Sequence, residues 1–128
     1  MTGVQTCALP ISDGLAAAEQ AIERAEQTEA RWLLPEALRV KAELLLLQAA
    51  DGAAAAAEAH LRQALDLARR QDAVSLELRA ATILTRLRRD QRRCGDALAL
   101  LRPVYDRFAE GFETADLRAA KALLDALA

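Results

Sequence analysis

Aromatic side chains are nearly missing from this chain: one Trp, one Tyr and two Phe in 128 residues, or 3%. Glycine (5), proline (3), cysteine (2) and histidine (1) are also scarce. Each shortage excludes something. So few glycines leave no GxxxxGK[ST] or GxGxxG loop to cradle phosphates. One histidine and two cysteines cannot assemble a His/Cys metal site, which needs several converging ligands. His60 stands alone beside Glu58 and reads as a partly exposed helix residue, and no serine or cysteine has an evident histidine base. The apolar run Leu44 to Leu47 ends at Gln48, and no segment approaches the ~20 residues of a membrane span. The formal net charge of -2 argues against a general polyanion binder. These readings predict no enzymatic activity, no cofactor, no metal, no nucleic-acid partner and no membrane partner.

What is present is alanine, leucine, arginine and glutamate. Hydrophobic residues make up 53% and charged residues 28%. Such a composition favours helix, because these side chains lose little rotamer freedom there. No strand-like alternation occurs. The first predicted helix covers Asp13 to Thr28, with Asp13 as N-cap and Ala18, Ala21, Ile22 and Ala25 as a narrow apolar stripe. Glu29 to Leu34 form a connector, in which Trp32 reads as a packing anchor. The second helix runs from Pro35 to Ala49, since proline suits the first helical position. Its Leu44–Leu47 stretch is apolar on every side and should be buried centrally. Asp51-Gly52 marks a turn.

A third helix, Ala54 to Arg70, buries Ala57, Leu61, Ala64, Leu65 and Ala68. Asp72 is placed to cap a fourth, Ala73 to Asp90, with Leu76, Ala80, Ile83, Leu84 and Leu87 inward. A fifth, Asp96 to Ala109, contains Pro103, which predicts a kink or a delayed start there. Gly111 fits a left-handed stop. A sixth helix, Thr114 to Leu127, has Thr114 as N-cap. Tyr105, Phe108 and Phe112 should pack it onto the preceding pair. Arg86, Arg88, Arg89, Arg92 and Arg93 read as a solvated helix end whose cations complement the helix dipole. Cys94 reads as an ordinary turn cysteine.

The helix pairs repeat. Ala57, Leu61 and Ala64 return forty positions later as Ala97, Leu101 and Val104, and Ala42 and Leu45 return thirty-nine later as Ala81 and Leu84. Ala21 and Ala25 likewise anticipate Ala64 and Ala68. Small residues recur where helices cross closely. The pattern resembles the tetratricopeptide repeat, although its spacing is longer and aliphatics stand at the usual aromatic positions. The resemblance implies an all-α, tetratricopeptide-like solenoid of antiparallel helix pairs with a C-terminal capping helix.

A second resemblance lies in the segment from Ala97 to Leu127, which follows ALALLxPVYxxFxEGFxTxDLxxAxxLLxxL. The upstream LPEALRVKAELLLL and AEAHLRQALDLARRQDAVSLELRAA extend it over residues 34 to 127. It is similar to the C-terminal tail of bacterial proteins that join a class III adenylate/guanylate cyclase domain, an ATPase module and a long tetratricopeptide region. That likeness implies a cytoplasmic protein-interaction or regulatory scaffold. Its partner would be a protein, a peptide or other domains of the parent chain. The alternative it leaves open is an effector-sensing module of an ATPase-type transcriptional regulator. If the repeat alignment holds, Arg39, Glu43, Thr82 and Arg86 line the partner groove.

Residues 1–11, MTGVQTCALPI, resemble the translation of a sequencing-library adapter at every position. The resemblance implies that the native sequence begins at residue 12 and that 12–128 is the C-terminal fragment of a larger protein. Cys94 would then be the one native thiol, which fits a reducing compartment.

Overall fold

A computed structural model of the chain describes residues 2–28, 30–48 and 51–128, with side chains described from residue 13 onward. Six α-helices follow one another: α1 (Thr2–Gln27), α2 (Leu34–Gln48), α3 (Ala53–Arg70), α4 (Val74–Asp90), α5 (Cys94–Tyr105) and α6 (Ala115–Leu127). A single 3₁₀ turn, Arg31–Leu33, leads into α2. Among the described residues there is no strand. The chain divides into two compact units, Met1–Ala64 and Leu65–Ala128, and the boundary falls within α3.

In the first unit α1 packs along α2. Ala18 and Ala25 are buried on α1, and Leu34, Leu38 and Ala42 on α2. The Leu44 side chain lies against the α1 backbone at Gly14, where a Cβ would stand 3.0 Å from Leu44 Cδ1. Lys41 of α2 pairs with Glu19 of α1 at 3.1 Å. The first half of α3 buries Ala53, Ala57, Leu61 and Ala64.

In the second unit α4 is central and packs against both α5 and α6, which also pack on each other. Its buried residues run from Glu77 almost without break to Leu87. α5 contributes Ala97, Leu101 and Val104, and α6 contributes Leu117, Ala120, Leu123 and Leu124. Leu84, Leu101 and Leu124 are each at most 2% exposed. A leucine buried this fully contributes roughly 1.5–3 kcal/mol. An exposed i,i+4 ion pair such as Lys121–Asp125 (3.1 Å) contributes about 0.3–0.5 kcal/mol, so aliphatic burial dominates.

The repeat read from the sequence is a repeat of burial. Ala57, Leu61, Ala64, Ala97, Leu101 and Val104 are all between 0 and 3% exposed. The partial exception is the second helix, where Leu45 is half-buried while its counterpart Leu84 is buried.

Several expectations change. α1 begins at Thr2 rather than Asp13, so Asp13 lies inside the helix and is not its N-cap. Extending a formed helix adds one bond per residue fixed, whereas starting one is costly, so the capping signal of Asp13 is overridden. The expected connector start at Glu29 and helix end at Ala49 lie outside the described residues. Trp32 is 63% exposed and anchors nothing. Leu47 is 68% exposed, and Leu44, Leu45 and Leu46 are only half-buried, so this run is not central. α5 passes unbroken from Cys94 through Pro103 and stops at Tyr105, well short of Ala109. In the final turn Pro103 forfeits only one backbone bond, a loss a helix end tolerates. Gly111 does take a left-handed φ of +79°, but in the loop after α5 rather than at its end. Thr114 caps α6 as expected, accepting from the Leu117 N–H at 3.5 Å.

Asp72 has a different role from the one expected. It does not cap α4; the residue before that helix is Ala73, which makes no side-chain capping bond. Asp72 instead ends α3 with φ +59°, and Arg92 ends α4 with φ +63°. At the first, the Ala73 N–H bonds Ala68 O (2.9 Å) and the Asp72 N–H bonds Arg69 O (3.2 Å). At the second, the Arg93 N–H bonds Arg88 O (2.8 Å) and the Arg92 N–H bonds Arg89 O (2.9 Å). Both are Schellman closures without the usual glycine. Asp tolerates this conformation better than Arg does. Replacing Arg92 with Gly should therefore raise stability by about 0.5–1 kcal/mol, read as a higher midpoint in urea unfolding, while Asp72→Gly should change it less.

Candidate functional site

The residues expected to form a partner groove have different fates. Arg39 and Glu43 are brought together on α2. The Arg39 guanidinium donates from Nε and Nη2 to both oxygens of Glu36 (2.8 Å each) and from Nη1 to Glu43 Oε1 (2.9 Å). The hydrogen bond to Glu36, opposed by burial, raises the Arg39 pKa above its usual value. Thr82 is not available as a groove contact: it is buried, and its hydroxyl donates to Leu78 O at 2.8 Å. A helical threonine that back-bonds to the preceding turn satisfies itself and can sit inside. Arg86, one turn further along α4, is exposed.

At the arginine-rich end of α4, Arg86, Arg89, Arg92 and Arg93 are exposed as expected, whereas Arg88 is half-buried and its Nε is enclosed. Arg89 pairs with Asp90 (3.3 Å) and Arg93 with Asp96 (3.0 Å). Cys94 is exposed as the first residue of α5. His60 on α3 lies within reach of Lys41 and Glu19. Burial, and then the Lys41 charge, lower its pKa, while Glu19 opposes them. Among the described residues no group of three or more His, Cys, Asp or Glu converges as a metal site. No helix there is long and apolar enough to cross a membrane.

Two surface recesses stand out. The first lies between α1 and α2, about 440 Å³ in volume. Gly14, Ala17 and Ala21 form its α1 wall; Ala37, Val40 and Leu44 form the opposite one, with Leu33 also lining it. Glu36 is its one charged lining residue, and Arg39 holds both of that carboxylate's oxygens. The cause is a double stripe on α2. Leu34, Leu38 and Ala42 point into the unit and are buried. Ala37, Val40, Leu44 and Leu47, spaced three, four and three, form a second stripe, of which Ala37, Val40 and Leu44 face α1 across the recess. Leu33 and Leu47, near the two ends of that stripe, are 45% and 68% exposed. The small residues of α1 leave the space that makes the surface concave.

The second recess, about 630 Å³, is lined by Tyr105, Phe112, Arg118, Lys121, Ala122 and Asp125. The two rings meet at 5.8 Å with a 49° tilt. Tyr105 and Phe112 gather beside α6 as expected, but Phe112 remains 43% exposed and Phe108 does not line this recess. Lys121 pairs with Asp125, whereas the Arg118 side chain has no ion-pair or hydrogen-bond partner among the described residues.

The most buried ionic group was not singled out from the sequence. Glu77 of α4 has a side chain only 3% exposed and accepts from two arginines. Arg69 Nε reaches Oε2 at 2.9 Å from the end of α3, and Arg107 Nη1 reaches Oε1 at 2.8 Å from the loop after α5. A signal existed: Glu77 shares its helical phase with Ala80, Ala81 and Leu84, so it had to face inward. Arg79 bonds Asp116 at 2.8 Å and ties α4 to the start of α6. These ion pairs lock helices together and have a structural role. Among the described residues, the α1/α2 recess is lined almost wholly by apolar side chains, and the recess beside α6 mixes two aromatic rings with Arg118, Lys121 and Asp125.

No protein-family model, curated protein or solved structure matches the chain.

Two consequences can be measured. Glu77→Gln keeps the shape but leaves two arginines facing a neutral amide. It should cost about 2 kcal/mol in urea unfolding, against near-zero for Asp125→Asn on the exposed surface. The hydroxyl of Thr85, wholly buried, has no hydrogen-bond partner. Thr85→Val removes that unpaired oxygen and should raise stability by about 1 kcal/mol.

Proposed function

We propose that this chain is the helical-repeat tail of a multidomain bacterial signalling protein of the cyclase–ATPase type, where it acts as a protein-interaction scaffold. On this reading its helix pairs stack as a tetratricopeptide-like solenoid and α6 caps the far end. The observation that carries it is the second apolar stripe of α2. A helix with apolar residues on two sides is made to be covered on both, and here α1 covers the second side only in part, leaving Leu47 68% exposed. The recurrence of buried apolar residues at Ala57, Leu61, Ala64 and at Ala97, Leu101, Val104 supports a stacked array of like units. Partner contact falls to Arg39, Glu43 and Arg86, with Thr82 acting as an internal packing residue. The partner is a protein or peptide segment, or a neighbouring domain of the same parent, in the cytoplasm. Residues 1–11 are adapter-derived on this reading, and the native chain extends upstream of Ser12.

Long-read sequencing across the start of the coding region tests both parts at once. The expected result is an open frame that replaces residues 1–11 and continues upstream into domains carrying cyclase carboxylates and an ATPase phosphate loop. A DNA-binding helix-turn-helix there would instead make the chain the effector-sensing module of a transcriptional regulator. A genomic sequence that encodes MTGVQTCALPI and then a stop codon upstream would overturn the proposal.

A further inference from the structure

We infer that the recess beside α6 is a binding site for a small aromatic monoanion, a flat ring system that carries one carboxylate. The inference goes beyond the interaction reading above and does not depend on it. The recess is built entirely from the end of α5, the loop after it and α6, all within the second unit.

The walls set the shape of the ligand. Tyr105 is the last residue of α5, Phe112 lies in the following loop, and their rings stand 5.8 Å apart at 49°. Arg118, Lys121, Ala122 and Asp125, spaced three, one and three, share one face of α6 and form the opposite wall. Ala122 is the small member of that face, so a space of about 630 Å³ stays open between helix and rings. Small-ligand pockets ordinarily span roughly 300–1,000 Å³ and combine apolar walls with a few polar groups. Phe112 is 43% exposed and Tyr105 is half-buried, so both rings keep bare surface toward a ligand. A ligand ring packed offset or edge-on against them gains more than its buried area alone would give.

The charges set the head group. Lys121 is answered by Asp125 at 3.1 Å. Arg118 has no ion-pair or hydrogen-bond partner among the described residues, so the lining carries one unanswered positive charge. A guanidinium fork matches the two oxygens of a carboxylate. The Tyr105 hydroxyl also makes no hydrogen bond among the described residues and is the one uncharged polar group in the lining. A dianion would place its second charge beside Asp125 with no cation left to answer it. A neutral ring would leave the Arg118 fork unused. One negative charge on an aromatic body satisfies both halves of the site.

Amide NMR shifts of the full chain, titrated with 2-naphthoate at low salt, test this. The expected result is saturable shifts at Tyr105, Phe112, Arg118 and Ala122 with a Kd below about 1 mM. Uncharged 2-naphthylmethanol and doubly charged 2-naphthyl phosphate should each bind at least about ten-fold more weakly. Arg118→Gln should weaken naphthoate at least about ten-fold and leave naphthylmethanol unchanged, with Arg118→Lys recovering only part of the loss. Ala122→Leu, which fills the recess from an exposed position, should weaken all three ligands. Circular dichroism shows whether each variant is folded. No saturable shift up to about 10 mM naphthoate overturns the inference, as does binding that maps away from α6 or ignores Arg118→Gln. Tighter binding of acetyl-Gly-Gly-Phe than of naphthoate overturns the small free acid in favour of a peptide's C-terminal residue.

Discussion

Close approach of helices through alanine is the constraint on which the rest of this structure depends. With so few aromatics, no large ring can fill a gap between elements, so the gaps have to be small. Alanine at the crossing points lets backbones approach, and leucine one turn away fills the remaining space. Ala57, Ala64, Ala68, Ala81, Ala97 and Ala120 are all fully buried, which shows how consistently this device is used. Gly14 carries it one step further, leaving α1 only a leucine side chain away from α2.

The same device explains why the surface has recesses. A helix whose contact face is alanine and glycine builds a shallow wall, and any part of that wall without a partner becomes a hollow. α1 does this where it faces the second stripe of α2. In the second unit the α4/α5 pair shows the covered case, because α6 lies on both helices and brings four buried residues to the contact. Glu77 belongs to the same logic. Packed interiors leave no room for water, so a carboxylate there must bring its own partners, and the two arginines reach it from outside the core.

Much of the helix layout was legible in the residues. The stripe of α3, the turn at Asp51-Gly52, the cap at Thr114 and the turn glycine Gly111 all express local chemistry, and local chemistry is written in order along the chain. The misreadings have a common cause. Trp32 and Leu44–Leu47 were judged by hydrophobicity, which says that a side chain prefers cover but not whether a neighbour provides it. Asp72 was judged a cap by residue type, whereas the way α3 ends put it in a left-handed turn. Of the four expected groove residues, Arg39 and Glu43 are joined by a spacing visible in sequence, since four positions make one helical turn. The burial of Thr82 was not visible, because a threonine can either face water or bond its own helix.

The residues by themselves determined helix type, the borders of α3, α4 and α6 and the forty-residue recurrence, because each follows from propensity and from side chains three or four positions apart. Tertiary structure alone decided which apolar stripe is covered, where Glu77 finds its two arginines, and which faces stay open. Those outcomes depend on pairs of residues far apart in the chain, as with Glu77 and Arg107 or Arg79 and Asp116, and no local pattern specifies such a meeting.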